Sequence, residues 1–378
     1  MSTQRNSAAD SDQGFLATPS PGERGGTGRG LASLARPEIR ALRPYPHATW
    51  EPELTRLHAN ESPWRSTADT SGAGLNRYPE PQPRTLIERV AALYQVPADT
   101  VLVTRGSDDA IDLLVRVFCR AGQDAILICP PTFGMYAVAA GIQGAHVVEV
   151  PLRAAEGFAV DEAAVLRACG PEVKLVFLCS PNNPTGNLLS SDAILRIAEE
   201  LGGRALVVVD EAYIEFATRE SVAAHRSRVT NLCILRTLSK AFSLAGARCG
   251  TLIADPEVIC LIRKVTHPYA LAQPTVEAVM RLLEPAALAE ARERCALIRD
   301  ERERLMFALG ALPTVKRVWP SRTNFLLTAF TDASAALERA RRSGFLVRDL
   351  RGDPAFPDSV RITVGTPEVN DRLLEAWS

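Results

Sequence analysis

The sequence predicts an α/β protein: a large domain with a mostly parallel, seven-stranded sheet covered by helices, followed by a smaller α+β domain. Three observations predict it. Between residues 101 and 254, seven short apolar runs recur, and amphipathic segments separate most of them. Strands of that near-continuous apolar kind belong to sheets buried on both faces. A non-periodic stretch bracketed by prolines, His267 to Pro274, then interrupts the pattern, and the order of elements beyond it changes. Finally, 378 residues are enough for two domains with a substantial core.

Taken in order, residues 1–36 are rich in Ser, Gly, Arg and Pro and nearly free of large apolar side chains. They are expected to form a disordered tail, because they cannot bury enough surface to offset ordering entropy. Residues 37–67 read as an arm that contributes part of the small domain, 68–273 as the large domain and 274–378 as the small one. A helix is expected over Arg84–Gln95, where Leu86, Val90, Leu93 and Tyr94 share a face. The expected strands are Val101–Thr104, Ala125–Cys129, His146–Val150, Lys174–Cys179, Ala205–Asp210, Leu232–Arg236 and Cys249–Ala254. The helices between them are Asp108–Arg120, Thr132–Gly141, Asp161–Cys169 and Asp192–Leu201. Past Pro274 the pattern gives helices over Thr275–Leu283 and Ala286–Leu309, then a strand over Asn324–Thr328 and a helix over Ala333–Ser343. A strand over Val360–Val364 and a helix over Pro367–Trp377 close the chain.

Composition excludes several classes of function. Hydrophobic content of 46%, charge of 23% and a net charge of −1 are those of a soluble globular protein without a nucleic-acid groove. No apolar run approaches the roughly 18–20 residues that span a bilayer, and the N-terminus lacks the pattern of a signal peptide. The eight cysteines stand singly, mostly inside apolar runs, as reduced core residues of a cytosolic protein. The five histidines lack metal-ligand spacing.

Four polar stretches stand where strands end, which is where ligands gather in an open α/β sheet. Gly106-Ser107-Asp108-Asp109 follows the first strand and opens a helix, so its N–H groups suit a phosphate; alone, it is equally an N-cap turn. Ser180-Pro-Asn-Asn183-Pro-Thr-Gly186 makes a rigid turn that fixes side-chain directions. Asp210-Glu-Ala-Tyr213 ends a strongly apolar strand, and a carboxylate there needs a cation or several hydrogen bonds; a structural ion pair would also supply them. Thr237-Leu-Ser239-Lys240, with Arg248 eight residues on, presents one lysine among small and hydroxylated residues. Such a lysine is a nucleophile only when burial or neighbouring cations lower its pKa; otherwise it is an ordinary surface lysine. One ligand satisfies all four places: pyridoxal phosphate, with its phosphate, ring nitrogen, ring hydroxyl and aldehyde.

With these residues assembled, the chain resembles the fold-type I, pyridoxal-phosphate-dependent aminotransferases from about Tyr45 to its C-terminus. The Ser180–Gly186, Asp210–Tyr213 and Thr237–Arg248 motifs, in that order, carry this resemblance. The stretches Arg77–Pro83, Pro130–Tyr136, His267–Pro274, Thr323–Leu327 and Val360–Thr366 are similar to the histidinol-phosphate aminotransferase branch.

The resemblance implies roles for individual residues. Lys240 is the Schiff-base lysine and the general acid/base of the proton shift, Asp210 pairs with the pyridinium nitrogen, and Asn183 and Tyr213 bond the ring oxygen. Phe133, where many relatives have tyrosine, stacks on the ring. Ser107, Asp108 (chiefly through backbone N–H), Ser239 and Arg248 surround the cofactor phosphate. Tyr78 reaches the cofactor of a neighbouring subunit, which implies a homodimer with shared sites. Arg361 grips the α-carboxylate of glutamate, while Tyr45, Asn60 and Arg348 line the pocket where histidinol phosphate and 2-oxoglutarate or glutamate alternate. Ser62 replaces a bulkier residue of some relatives beside Asn60. A threonine-phosphate decarboxylase and an aromatic-amino-acid aminotransferase are the alternative activities. A transcriptional regulator built on this fold does not suit so short and polar a leading segment.

Overall fold

The computed structural model describes residues 30–46, 51 and 53–378. Its larger sheet has seven strands: β1 (Val101–Thr104), β2 (Ala125–Ile128), β3 (His146–Glu149), β4 (Val173–Cys179), β5 (Leu206–Asp210), β6 (Leu232–Thr237) and β7 (Gly250–Ile253). Their order across the sheet is β1-β7-β6-β5-β4-β2-β3. The pairings among β2 to β6 are parallel, whereas β7 runs antiparallel to both β6 and β1. The helices Ser107–Phe118, Met135–Gln143, Glu162–Ala168 and Ser191–Glu200 connect successive strands from β1 to β5.

The central strands show why the apolar runs are unbroken. In β5, Val207 and Val209 face one core while Leu206 and Val208 face another. In β6, Leu232 and Ile234 join the first, and Cys233 and Leu235 the second. Successive strand residues point to opposite faces, so a sheet with helices on both sides requires apolar residues at every position.

The smaller unit is a four-stranded antiparallel sheet, β10-β11-β9-β8, formed by β8 (Val315–Val318), β9 (Phe325–Phe330), β10 (Arg348–Asp349) and β11 (Ser359–Thr363). The helices Pro285–Gly310, Ala333–Arg342 and Pro367–Glu375 cover it, around a core of its own that includes Phe330, Ile362 and Trp377. The Trp377 indole N–H, fully buried, donates to Ala336 O at 2.8 Å and so closes the C-terminus onto this core. Two contacts tie the units together close to the cleft. Arg302, buried in the Pro285–Gly310 helix, donates to Phe216 O and Thr323 O, and Arg322 N donates to Gly186 O at 2.7 Å.

Several expectations need correction. The tail does not extend to residue 36: Leu31–Leu34 form a 3-10 turn with Leu31, Leu34 and Ala35 buried, and Arg36 N donates to Val117 O. Two leucines at i, i+3 in a polar background are enough to dock this short piece; residues 1–29 lie outside the described part. Ile39, in the helix Pro37–Ala41, joins the core of the large sheet, so this part of the arm packs there and not on the small sheet. A helix over Pro256–Arg263 was not anticipated, although Asp255 caps it by accepting from Glu257 N and Pro256 occupies its first position. Strands β8 and β10 were missed because Lys316-Arg317 and a two-residue strand carry little apolar signal.

Replacing both Leu31 and Leu34 with serine should lower the stability of the protein by about 2–4 kcal/mol, measured as a drop in the thermal unfolding midpoint. An unchanged midpoint would contradict the docking of this segment.

Candidate active site

The parallel strands β4, β5 and β6 all end at one edge of the large sheet, and the turns beyond them meet the N-terminus of the Ser107–Phe118 helix. The cleft formed there is lined by nine of the residues that the motifs single out. Ser107, Asp108 and Arg248 stand together at one end, and Asp210, Ser239, Lys240, Phe133, Asn183 and Tyr213 line the rest.

The first end is built to take an anion. The Ser107–Phe118 helix has no side-chain cap, so its leading N–H groups face the cleft with the positive end of the helix dipole. Gly106 has φ +89°, and a Cβ there would stand 2.7 Å from Arg248 Nη2. A Cβ on Gly250, at the start of β7, would lie 2.4 Å from the Gly106 carbonyl carbon. Both glycines thus allow backbone and guanidinium to converge on one point. Arg248 meanwhile pairs with the Asp108 carboxylate at 3.3 Å, and both side chains are about half exposed, which leaves the pair weak and exchangeable. The Asp108 carboxylate is thus directed at Arg248, while its backbone N–H belongs to the first turn of the helix.

The two acids that end β5 show opposite arrangements. Glu211 is buried, yet Val222 N donates to it at 2.8 Å and the Arg236 guanidinium lies 3.6 Å away. Asp210 is equally buried, and its hydrogen-bond partners are neutral: the Tyr136 hydroxyl donates to Oδ2 at 2.8 Å and Ala212 N to Oδ1 at 3.0 Å. Among the described residues it forms no ion pair. Burial therefore pushes its pKa up to about 6, against the pull of the two hydrogen bonds. A buried carboxylate left without a cation, at the end of a strand and facing a cleft, is arranged for a cationic group of a ligand.

Lys240 lies across the cleft with its ammonium 5.8 Å from the centre of the Tyr213 ring. Its pKa is lowered, first by burial and then by Arg361, with Arg248 contributing less. Arg248 lies eight residues on in sequence, but the larger electrostatic share comes from Arg361 in the small unit. Arg361, in β11, donates to Asn183 Oδ1, and its guanidinium sits 5.1 Å from the centre of the Phe325 ring. Arg348 is its direct partner across the β10–β11 pair, which puts two arginines on one face of the small sheet.

The remaining expected residues stand apart from the cleft lining. Tyr45 is exposed, Asn60 has φ +55°, and Tyr78 stacks on Tyr269 with ring centres 4.5 Å apart. Glu61 joins this region together: its carboxylate accepts from Arg56, from Arg77 at 3.0 Å and from Tyr78 N at 2.7 Å. Motif analysis missed Glu61, Tyr136 and Asn182. Asn182 donates to Pro131 O and Thr185 Oγ1 and accepts from Thr132 Oγ1, which fastens the Ser180–Gly186 turn to the segment carrying Phe133. A tyrosine inside the apolar Met135–Gln143 helix was the available signal for Tyr136, since a buried hydroxyl needs a partner.

Residues 55–376 match the aminotransferase class I and II family. The chain belongs to that family. A histidinol-phosphate aminotransferase of Stenotrophomonas maltophilia (strain R551-3) is 48% identical over 353 residues, which is 92% of this chain and 96% of the relative. One from Xylella fastidiosa (strain 9a5c) is 48% identical over 349 residues, 91% of this chain and 95% of the relative. Among solved structures, the histidinol-phosphate aminotransferase of Sinorhizobium meliloti, in complex with pyridoxal-5′-phosphate, superposes with a TM-score of 0.71 at 25% identity, covering 80% of this chain and 82% of that one. No helix among the described residues of this aminotransferase is long and apolar enough to cross a membrane, and no group of its described side chains is set to hold a metal.

Two predictions follow from the geometry of the aminotransferase cleft. Gly250→Ala should cost about 1–3 kcal/mol through overpacking against the Gly106–Ser107 backbone, read from urea unfolding. Wild-type stability would show that this approach is not tight. For Asp210, the folded-state pKa of about 6 lies above the ordinary aspartate value of 3.8. The folded protein then binds the proton more tightly, so this group's contribution falls as pH rises from about 4 to 6. Asp210→Asn should therefore stabilise the ligand-free protein by on the order of 2–3 kcal/mol at pH 7.5 and by little at pH 4, which thermal unfolding at the two pH values measures. Destabilisation at pH 7.5 would contradict the burial argument.

Proposed function

We propose that the enzyme transfers the amino group of histidinol phosphate to 2-oxoglutarate, with pyridoxal phosphate as cofactor and as a homodimer. The observation that carries the proposal is the convergence of Lys240, the cation-deficient Asp210 and the Arg248 cradle on a single cleft in a chain 48% identical to relatives of that name.

The residues present fit the cofactor. The uncapped helix N-terminus, Ser239 and Arg248 offer donors for its phosphate, with Asp108 released from Arg248 as the phosphate arrives. Asp210 offers its charge to the ring nitrogen, and Phe133 supplies an apolar ring in the cleft lining. When bound, the cofactor supplies an aldehyde for the substrate amine and a ring that takes up the electron pair left when the proton departs.

The chain's own part is to bind, orient and move the proton. Lys240, with its lowered pKa and its position on the turn after β6, would act as the base that takes the proton from the substrate Cα, holds it on its amine nitrogen and gives it back to the substrate–cofactor framework from the same side. Arg361 holds the α-carboxylate of glutamate or 2-oxoglutarate. Arg348 beside it adds a second cation for the phosphate of the other substrate, so one pair of arginines serves two anions in turn. The unpaired cysteines among the described residues, most of them buried, suit a cytoplasmic enzyme.

The homodimer rests on the apolar side chains exposed along one segment, Leu57, Trp64, Leu75 and Tyr78, which a second copy would cover. In that arrangement Tyr78, together with Asn60 and Tyr45, completes the neighbouring cleft.

Purified enzyme should form glutamate from histidinol phosphate and 2-oxoglutarate, and Lys240→Ala should lower kcat by at least about 10³-fold. Release of CO₂ from threonine phosphate would assign it to the decarboxylases instead. Turnover of phenylalanine without histidinol phosphate would assign it to the aromatic aminotransferases. Sedimentation at the mass of a single chain would contradict the dimer.

A further inference from the structure

Tyr136 is fully buried in the Met135–Gln143 helix, with its ring stacked on Phe177 (4.7 Å, 14°) and edge-on to Phe133 (5.7 Å, 87°). A phenylalanine would make both ring contacts. What phenylalanine lacks is the hydroxyl, and among the described residues this hydroxyl is the side-chain donor to Asp210, 2.8 Å from Oδ2. Ala212 N holds the other oxygen at 3.0 Å. With one donor on each oxygen, the carboxylate is held at two points beside the cleft it lines.

We propose that Tyr136 is a positioning residue for Asp210, retained for its hydroxyl, which keeps the carboxylate ionised and aimed at the ring nitrogen of the cofactor. This rests on the pyridoxal-phosphate reading given above.

The other groups that face Asp210 do not duplicate this role. Cys179, at the end of β4, and Tyr213, on the turn after β5, are themselves buried and neutral. Asp108, at the N-terminus of the Ser107–Phe118 helix, opposes ionisation of Asp210, and Lys240 favours it only weakly. Removing the hydroxyl therefore leaves one backbone N–H to offset burial, and the carboxyl must hold its proton to higher pH. Cofactor binding then requires an ionisation that the native protein has already undergone near neutrality.

The test is the affinity of cofactor-free protein for pyridoxal phosphate, followed by fluorescence quenching from pH 5.5 to 8.5. Four forms are compared: native, Tyr136→Phe, Asp210→Asn and the double variant. A hydrogen bond to a charged group is worth about one pH unit or more. The Kd ratio of Tyr136→Phe to native should therefore be about tenfold at pH 5.5 and approach unity at pH 8.5. Ionisation of the cofactor phosphate, also near pH 6, is common to both proteins and cancels in the ratio. In the Asp210→Asn background the same substitution should change nothing. Incorporating 3,5-difluorotyrosine, a stronger donor of nearly the same shape, should shift the midpoint to lower pH. A loss that is equal at all pH values, or one that persists without Asp210, would show a packing role only and overturn the inference. Should the native protein fail to bind pyridoxal phosphate, the cofactor reading fails first and this inference with it.

Discussion

Asp210 is a carboxylate withdrawn from water that forms no ion pair among the described residues. Burial of that kind is tolerated because two neutral donors fix the group and because it lines a cleft. The contrast with Glu211, one residue on, is instructive. That acid has Arg236, Ser221 and the Val222 N–H as partners inside the protein, although burial still holds its pKa above the usual carboxylate range. The fold therefore shows one acid used for structure beside one held ready for a ligand. The cationic groups across the cleft, Lys240 and Arg361, are the counterpart: burial disfavours their charge too, and both have their pKa lowered.

Sheet topology makes this arrangement possible. Parallel pairing from β2 to β6 brings the ends of β4, β5 and β6 to one edge, so Cys179, Asp210 and Leu235 lie side by side, with Thr237 just beyond, although they are far apart in sequence. The antiparallel β7 then runs back from that edge. Its first residue, Gly250, lies against Gly106, and Arg248, two residues before it, reaches the helix N-terminus. The small unit completes the site from above through Arg361, and its long helix is pinned by Arg302 to the backbone just beyond Tyr213.

Much of this was legible in the sequence, for identifiable reasons. Buried parallel strands are continuous apolar runs, so the strands of the large sheet could be read directly. Lys240, Asp210 and Asn183 each follow such a run, which marks them as strand-end residues. The direction of β7 was not legible, because an antiparallel strand buried on both faces has the same composition as a parallel one. Tyr136 and Asn182 were not legible as site residues because their partners, Asp210 and Pro131, meet them only in the folded chain. Leu31 and Leu34 were lost in a segment whose average composition is that of a tail, although two side chains suffice to dock it.

The central claim is that the cleft holds pyridoxal phosphate covalently at Lys240, opposite Asp210. Borohydride reduction of the reconstituted enzyme, followed by peptide mass spectrometry, tests it most directly. The account predicts a stable pyridoxyl adduct on the peptide that contains Lys240 and on no other. An adduct on a different lysine, or none after reconstitution, would contradict it.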